Sequence, residues 1–211
     1  MEFTLENGCC ITTINGTRGT LGQADVNTLI EYAKKLEFGS KYLETGSYLG
    51  CSSLIVALNS NATVWAHDIW VTDWTQLKGG PPPKVDDYFF TFYKMVKDNG
   101  MINRIIPVRG DSAYTVGIHD DKSIDLAFID GDHSYEGCLA DLEAVYIKMK
   151  PNSVMLVHDC TRNSDPLKAV ETFCKNKPIN VKYVPYSCGM IILELIQSAA
   201  ELSAHHTVSE C

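Results

Sequence analysis

The sequence predicts an α/β fold built on a mostly parallel β-sheet with helices on both faces. Three observations carry this. Short apolar, β-branched runs alternate with amphipathic helical stretches, the pattern of strand–helix–strand crossovers. Polar residues stand in register at the carboxyl ends of these runs: Glu44, Asp68, Asp111, Asp130 and His158-Asp159. The last two runs have no helix between them. They must close the sheet as an antiparallel hairpin, because a parallel pair needs a long crossover.

The elements follow in order. Residues 1–20 are Thr- and Gly-rich and are expected to form an irregular arm ahead of one domain over 21–197. From Gln23, the residues Val26, Leu29, Ile30, Ala33 and Leu36 recur at helical spacing until Gly39. Lys41–Thr45 reads as a strand, Gly46–Gly50 as a turn and Ser52–Leu58 as a helix. Thr63–Ile69 is the second strand. The connection Val71–Val85 is long for an α/β protein and reads as a binding loop or lid. A helix over Asp86–Asp98 stops at Gly100. Strands are expected at Arg104–Val108 and Ile124–Ile129. Ser134 then caps a helix whose apolar face is Cys138, Leu142, Val145 and Met149. Pro151-Asn152-Ser153 turns the chain into a strand at Val154–Val157, followed by a helix over Pro166–Lys175. The hairpin strands are Val181–Val184 and Met190–Leu195, and the polar tail 198–211 is expected to be disordered.

Composition excludes several classes of function. Eighteen basic against 26 acidic residues leave a net charge of −8, the wrong balance for a general nucleic-acid or polybasic membrane binder. Hydrophobic residues at 45% and charged residues at 21% fit a globular domain rather than a disordered chain. The start lacks a signal-peptide profile, and the most apolar run, Met190–Ile196, is too short to span a bilayer. A cytoplasmic protein with no membrane or nucleic-acid partner is therefore expected. The eight cysteines show no CxxC or metal-finger spacing and read mainly as small buried apolar residues.

In parallel sheets, ligands bind outside the carboxyl ends of the strands. Glu44 and the glycines at 46 and 50 stand at a strand-to-helix turn where backbone can approach a ligand. The spacing is GxxxG, without the middle glycine of the dinucleotide fingerprint. Asp68, at the end of the second strand, is placed to accept hydrogen bonds from both hydroxyls of a ribose. Together these point to a nucleoside-containing ligand.

The residues Tyr42-Leu-Glu-Thr-Gly-Ser-Tyr-Leu-Gly-Cys-Ser-Ser53 resemble the first motif of the class I S-adenosylmethionine-dependent methyltransferases. Phe128-Ile-Asp-Gly-Asp-His-Ser-Tyr-Glu-Gly137, with Asp141-Leu-Glu143 and Val157-His-Asp159, is similar to one small branch of them. That branch includes macrolide-sugar O-methyltransferases and cephalosporin-hydroxylase-like proteins. The likeness spans roughly residues 24–196. It implies a Rossmann-like, seven-stranded sheet of order 3-2-1-4-5-7-6 with a C-terminal antiparallel hairpin. The implied activity is O-methylation of a small hydroxylated acceptor, and the resemblance leaves a homo-oligomer open.

Carried over by position, Glu44, Gly46, Ser47, Tyr48 and Gly50 would hold the methionine part of the cofactor. Asp68 would take the ribose, Asp111 and Ser112 the adenine, and Asp130 would sit beneath the methyl-transfer centre. Metal-dependent relatives hold a divalent cation, magnesium or manganese, at positions matching Asp130 and Asp159. Cys160 stands where a further oxygen ligand would follow, and Pro151-Asn152-Ser153 replaces the usual Pro-Gly-Gly turn. His133 is a candidate general base or substrate contact, with a cap for the following helix as the alternative. His158 points either into the site or back into the sheet. His67 and His119 read as structural or surface residues. Trp70 and Trp74 offer rigid faces for an acceptor, or else anchor their loop to the core. Two further readings stay open: a non-catalytic nucleoside-binding module and a nicotinamide-dependent oxidoreductase.

Overall fold

Seven strands, the central ones buried and largely apolar, pair into one sheet, and the helices between them cover both of its faces. The computed structural model describes residues 3–5, 12–70 and 88–196. After three short strands, β1 (Phe3–Leu5), β2 (Thr12–Ile14) and β3 (Thr17–Gly19), the chain enters α1 (Gln23–Ala33). Then follow β4 (Lys41–Thr45), α2 (Cys51–Asn59), β5 (Thr63–Asp68), α3 (Tyr88–Asp98) and β6 (Ile105–Arg109). A short α4 (Ser112–Thr115) and one 3₁₀ turn at Val116–Ile118 lead to β7 (Ile124–Ile129) and α5 (Tyr135–Lys148). The domain ends with β8 (Met149–Val157), α6 (Asp165–Cys174), β9 (Ile179–Tyr183) and β10 (Ile191–Leu195).

The sheet order is β6-β5-β4-β7-β8-β10-β9. Counted from β4 this is 3-2-1-4-5-7-6, as expected. The first five strands are mutually parallel, and β10 runs antiparallel to both β8 and β9. On one face Val26 and Leu29 of α1, Leu54 and Ile55 of α2 and Phe92 of α3 form a core. On the other, Leu142 and Val145 of α5 pack with Val170 and Phe173 of α6. Caps set the helix starts: Ser134 Oγ accepts from Gly137 N–H, and Ser164 Oγ accepts from Leu167 N–H with Pro166 in the first turn.

The arm differs from expectation. Residues 1–20, read as irregular, contain a three-stranded antiparallel sheet. Asn15 and Gly16 both take positive φ, +48° and +80°, and join β2 to β3 with Ile14 opposite Thr17. Asn-Gly in a two-residue loop is the strongest short hairpin signal, and the Thr-rich flanks favour strand. Strand β8 begins five residues earlier than expected, at Met149 rather than Val154, and runs through Pro151. The register against β7 shifts between Ile124 and Leu126, and Asn152 takes φ +60° within that irregularity. The tail 198–211 lies outside the described residues.

Cys51, Cys138 and Cys160 are buried thiols, in line with the apolar reading of the cysteines. Burial pushes the thiols of Cys51 and Cys138 up to about 12, and that of Cys160 further up. Cys188 departs from that reading, for it is disulfide-bonded.

The central strands are locked together at their carboxyl ends. Asp130 N–H donates to the Thr45 carbonyl at 3.0 Å, and Gly46 follows with φ +80°. A Cβ on Gly46 would lie 2.0 Å from the Asp130 carbonyl oxygen, a contact that fixed backbone cannot relieve. A Cβ on Gly50 (φ +87°) would instead lie 2.1 Å from the terminal methyl of Met95, which can rotate away. Both substitutions to alanine impose left-handed strain of about 1–2 kcal/mol. Gly46→Ala should therefore lose clearly more stability than Gly50→Ala in urea unfolding, and equal midpoints would contradict the packing described.

Candidate active site

The turn after β4 is held from below by a buried carboxylate. Glu44 is fully buried; one oxygen accepts from Tyr42 Oη at 2.8 Å and the other from Ser53 Oγ at 2.7 Å. Burial raises its carboxyl to about 7, although these hydroxyls hold it down. Glu44 thus braces the turn from behind and leaves the open crevice to the backbone of residues 46–49. Gly46 N–H donates to the His67 carbonyl, which joins the turn to β5. Gly50 serves another purpose than ligand clearance: it lets α2 start hard against Phe92 and Met95 of α3.

Asp68, at the end of β5, accepts from Tyr48 N–H at 2.7 Å and from Trp70 N–H at 2.6 Å. Burial raises its pKa against the pull of these two bonds. Trp70 is 2% exposed, so it offers no face to an acceptor. Its indole N–H donates to the Tyr48 carbonyl at 2.8 Å, and its ring packs on Phe89 and Phe92. A tryptophan at φ +42° is strained, and the Asp68 and Tyr48 hydrogen bonds hold it there. The expectation that Trp70 binds acceptor gives way to its alternative, a loop anchor. Trp74 lies outside the described residues, as does the whole connection Val71–Val85 read as a binding loop or lid.

At the end of β6, Asp111 is exposed and caps α4 through Ala113 N–H. The Ser112 hydroxyl turns inward, donating to Asp141 Oδ1 at 2.7 Å. His67 and His119 form a buried pair, Nε2 to Nε2 at 3.0 Å, with Thr115 Oγ1 on the far nitrogen of His67. Burial, helped by His119, pushes His67 down to about 3, which marks a neutral structural imidazole.

Beyond β7 and β8, the side chains of Asp130, His133 and Asp159 converge. His133 Nε2 lies 3.3 Å from Asp159 and 3.6 Å from Asp130, and its side chain is 56% exposed. Hydrogen bonding to Asp130 raises its pKa, with Asp159 adding to the effect. His158 faces inward, 3% exposed, so it contacts no acceptor as it stands. Its Nδ1 lies 3.3 Å from Asp130 and 3.5 Å from Asp159, and its Nε2 lies 3.5 Å from Asp25. Burial opposes charge on this ring, but the surrounding carboxylates outweigh it and raise the pKa. In turn, burial raises the Asp130 carboxyl while His158 and His133 pull it below its ordinary value, and the imidazoles win.

Sequence reading overlooked Asp25 and the arm. Asp25 is fully buried, accepts from Gly22 N–H at 2.8 Å and from Cys188 N–H, and backs His158. Its position three residues after the helix-capping Gly22 was the available signal. Gly19, Thr20 and Leu21 line one cleft with Ser47, Tyr48 and Asp130, so the arm forms part of the site's wall.

Because Glu44 stays protonated to higher pH when folded, its contribution to stability is complete below its ordinary value of 4.5 and is lost as pH rises through about 7. Glu44→Gln should remove this loss. The stability difference between wild type and variant should shrink by up to about 3 kcal/mol from pH 4.5 to pH 8 in urea titrations. A constant difference would show that Glu44 ionises normally.

Comparison with known proteins agrees with this architecture. A family described as "Methyltransferase domain" matches residues 43–160. No curated protein matches the chain. Among solved structures, the O-methyltransferase NovP superposes with TM-score 0.66 at 12% identity, covering 83% of this chain and 81% of that one. A methyltransferase from Geobacter sulfurreducens gives 0.60 at 17% identity, covering 83% and 79%. An S-adenosylmethionine-dependent O-methyltransferase from Thermotoga maritima gives 0.59 at 12% identity, covering 84% and 66%. At these identities the structures speak for the fold alone, but the family match covers more than half of the chain, from Leu43 in β4 to Cys160 just past β8. It sets aside the nicotinamide and non-catalytic readings: the chain belongs to this methyltransferase family and is an S-adenosylmethionine-dependent methyltransferase.

Proposed function

We propose that the chain methylates an oxygen of a small hydroxylated acceptor, assisted by a divalent cation, magnesium or manganese. The observation that carries this reading is the convergence of Asp130, His133 and Asp159 beside the glycine turn, with one ligand atom from each within 4.8 Å of the others. The two carboxylates suit such a cation, which takes oxygen ligands readily, and they leave the imidazole beside it free to act as a base. Asp130 and Asp159 would hold it, and it would lower the pKa of an acceptor hydroxyl bound there. Among the described residues no helix is long and apolar enough to cross a membrane.

S-adenosylmethionine supplies an electrophilic methyl group: transfer breaks its carbon–sulfur bond, forms a carbon–oxygen bond and releases the acceptor proton. The chain's own residues then divide the work. Asp68 keeps lone pairs beyond its two backbone bonds and is assigned the ribose hydroxyls. The backbone of residues 46–48 takes the methionyl part. The Asp111-Ser112 turn takes the adenine. His133, half-exposed at the rim, accepts the acceptor proton at a ring nitrogen, and the flanking carboxylates stabilise the imidazolium that results. Alignment of acceptor oxygen, methyl carbon and sulfur supplies the remainder of the acceleration.

Two measurements test this. Asp68→Ala should weaken S-adenosylhomocysteine binding at least tenfold in calorimetry, since even one charge-assisted hydrogen bond is worth about 1.5–3 kcal/mol. Unchanged affinity in a folded variant would sink the ribose assignment. Methyl transfer to a panel of hydroxylated small acceptors should stop with chelator and return with manganese or magnesium, and Asp159→Asn should abolish it. Activity indifferent to both would remove the cation from the reading.

A further inference from the structure

Asp141 is a buried carboxylate in the middle of α5, 2% exposed, between the turn assigned to the adenine and the turn that follows Asp130. Its Oδ1 accepts the Ser112 hydroxyl at 2.7 Å. Its Oδ2 and Thr45 Oγ1 at the end of β4 are both buried and face each other beside Gly131, and the Thr45 hydroxyl helps hold the Asp141 carboxyl down. Both atoms lie against Gly131: a Cβ there would sit 2.7 Å from Asp141 Oδ2 and 3.4 Å from Thr45 Oγ1. One side chain therefore touches the turn after β6 and the turn after β7, and it faces the end of β4.

Packing alone gives no reason for this carboxylate. The buried neighbours on α5 are Cys138, Leu142 and Val145, and an apolar residue would fill the same volume without the cost of burying a carboxylate. Burial raises the Asp141 carboxyl to about 6, and the nearby Asp111 and Asp132 carboxylates add to that, so its charge is kept at a cost to the fold.

We propose that Asp141 is a positioning residue for the cofactor, coupling the adenine-side turn at Ser112 to the turn at Gly131 that follows Asp130. Pulling the Ser112 hydroxyl inward fixes the start of α4 and leaves the backbone of that turn facing the crevice. The same carboxylate requires Gly at 131, since any side chain would strike it, and so sets how closely the turn carrying Asp130 approaches Thr45. The adenine-side turn and the turn carrying Asp130 are thereby kept in one relative position. This inference rests on the proposed placement of S-adenosylmethionine across β4, β5 and β6.

Calorimetry on the full chain with S-adenosylhomocysteine provides the test. Wild type, Asp141→Asn, Ser112→Ala and the double variant are compared, each with its melting temperature. Each single variant should bind about five- to tenfold more weakly while melting within a few degrees of wild type. The double variant should bind no more weakly than the weaker single one, because both changes break the same connection. The loss should persist with 5′-methylthioadenosine, which lacks the amino-acid half of the ligand. Wild-type affinity in Asp141→Asn, losses that multiply in the double variant, or no loss with 5′-methylthioadenosine would each overturn the proposal. Should Asp141→Asn fail to fold, Ser112→Ala breaks the same hydrogen bond from its half-buried side, and unchanged affinity there would overturn it equally. Wild-type protein that binds neither ligand would overturn the cofactor placement itself, an outcome separate from any effect of Asp141.

Discussion

Everything at the carboxyl end of this sheet depends on how closely β4 and β7 finish. The Thr45 carbonyl takes the Asp130 N–H, and the backbone of Gly46 then lies directly on the Asp130 carbonyl. Two strands that stop in such tight register must send their following turns apart, one toward β5 and the other toward β8. The crevice between those turns is where ligands collect in a parallel α/β sheet. Asp68 is carried to one side of it, and Asp130, His133 and Asp159 to the other. The central contact is made by backbone, so it can be specified only by a residue without a side chain.

Charge is arranged around the same crevice in a consistent way. An acidic chain places several carboxylates near one another here, which would by itself favour protonation of some of them. The imidazoles of His133 and His158 stand between these carboxylates and counter that tendency. Asp25 reaches the same network from α1, some distance away in sequence, and connects it to Gly22 at the head of that helix and to the segment around Cys188.

Much of this was legible in the residues. Periodicity places β4 and β7 at their observed bounds, and the helix-free interval before Met190 requires the antiparallel close of the sheet. That the polar residues at the strand ends come together was equally readable, because topology alone makes them neighbours. Orientation was not. Trp70 and His158 sit beside ligand-facing positions in sequence, yet both turn inward, since packing on α3 and contact with Asp25 decide their direction. Gly50 was read as clearance for a ligand, whereas its neighbours are Phe92 and Met95, which lie some forty residues away in sequence. The D-G-D-H-S-Y-E-G block is in good part architectural: Ser134 caps α5, Asp132 accepts from Ser134 N–H, and Gly137 leaves space for the Asp132 carboxylate. Asn15-Gly16 was a plain hairpin signal, obscured by the apparent irregularity of its surroundings.

The buried thiols have a practical meaning beyond packing. Cys51 belongs to the core on one face of the sheet, and Cys138 and Cys160 belong to the core on the other. With burial raising all three, almost no thiolate is present at neutral pH, so alkylating reagents react with these residues only when the surrounding structure opens. Each face thus carries its own chemical clock. Mass spectrometry of timed alkylation would separate the breathing of the α2 side from that of the α5 side, residue by residue, with no substitution introduced.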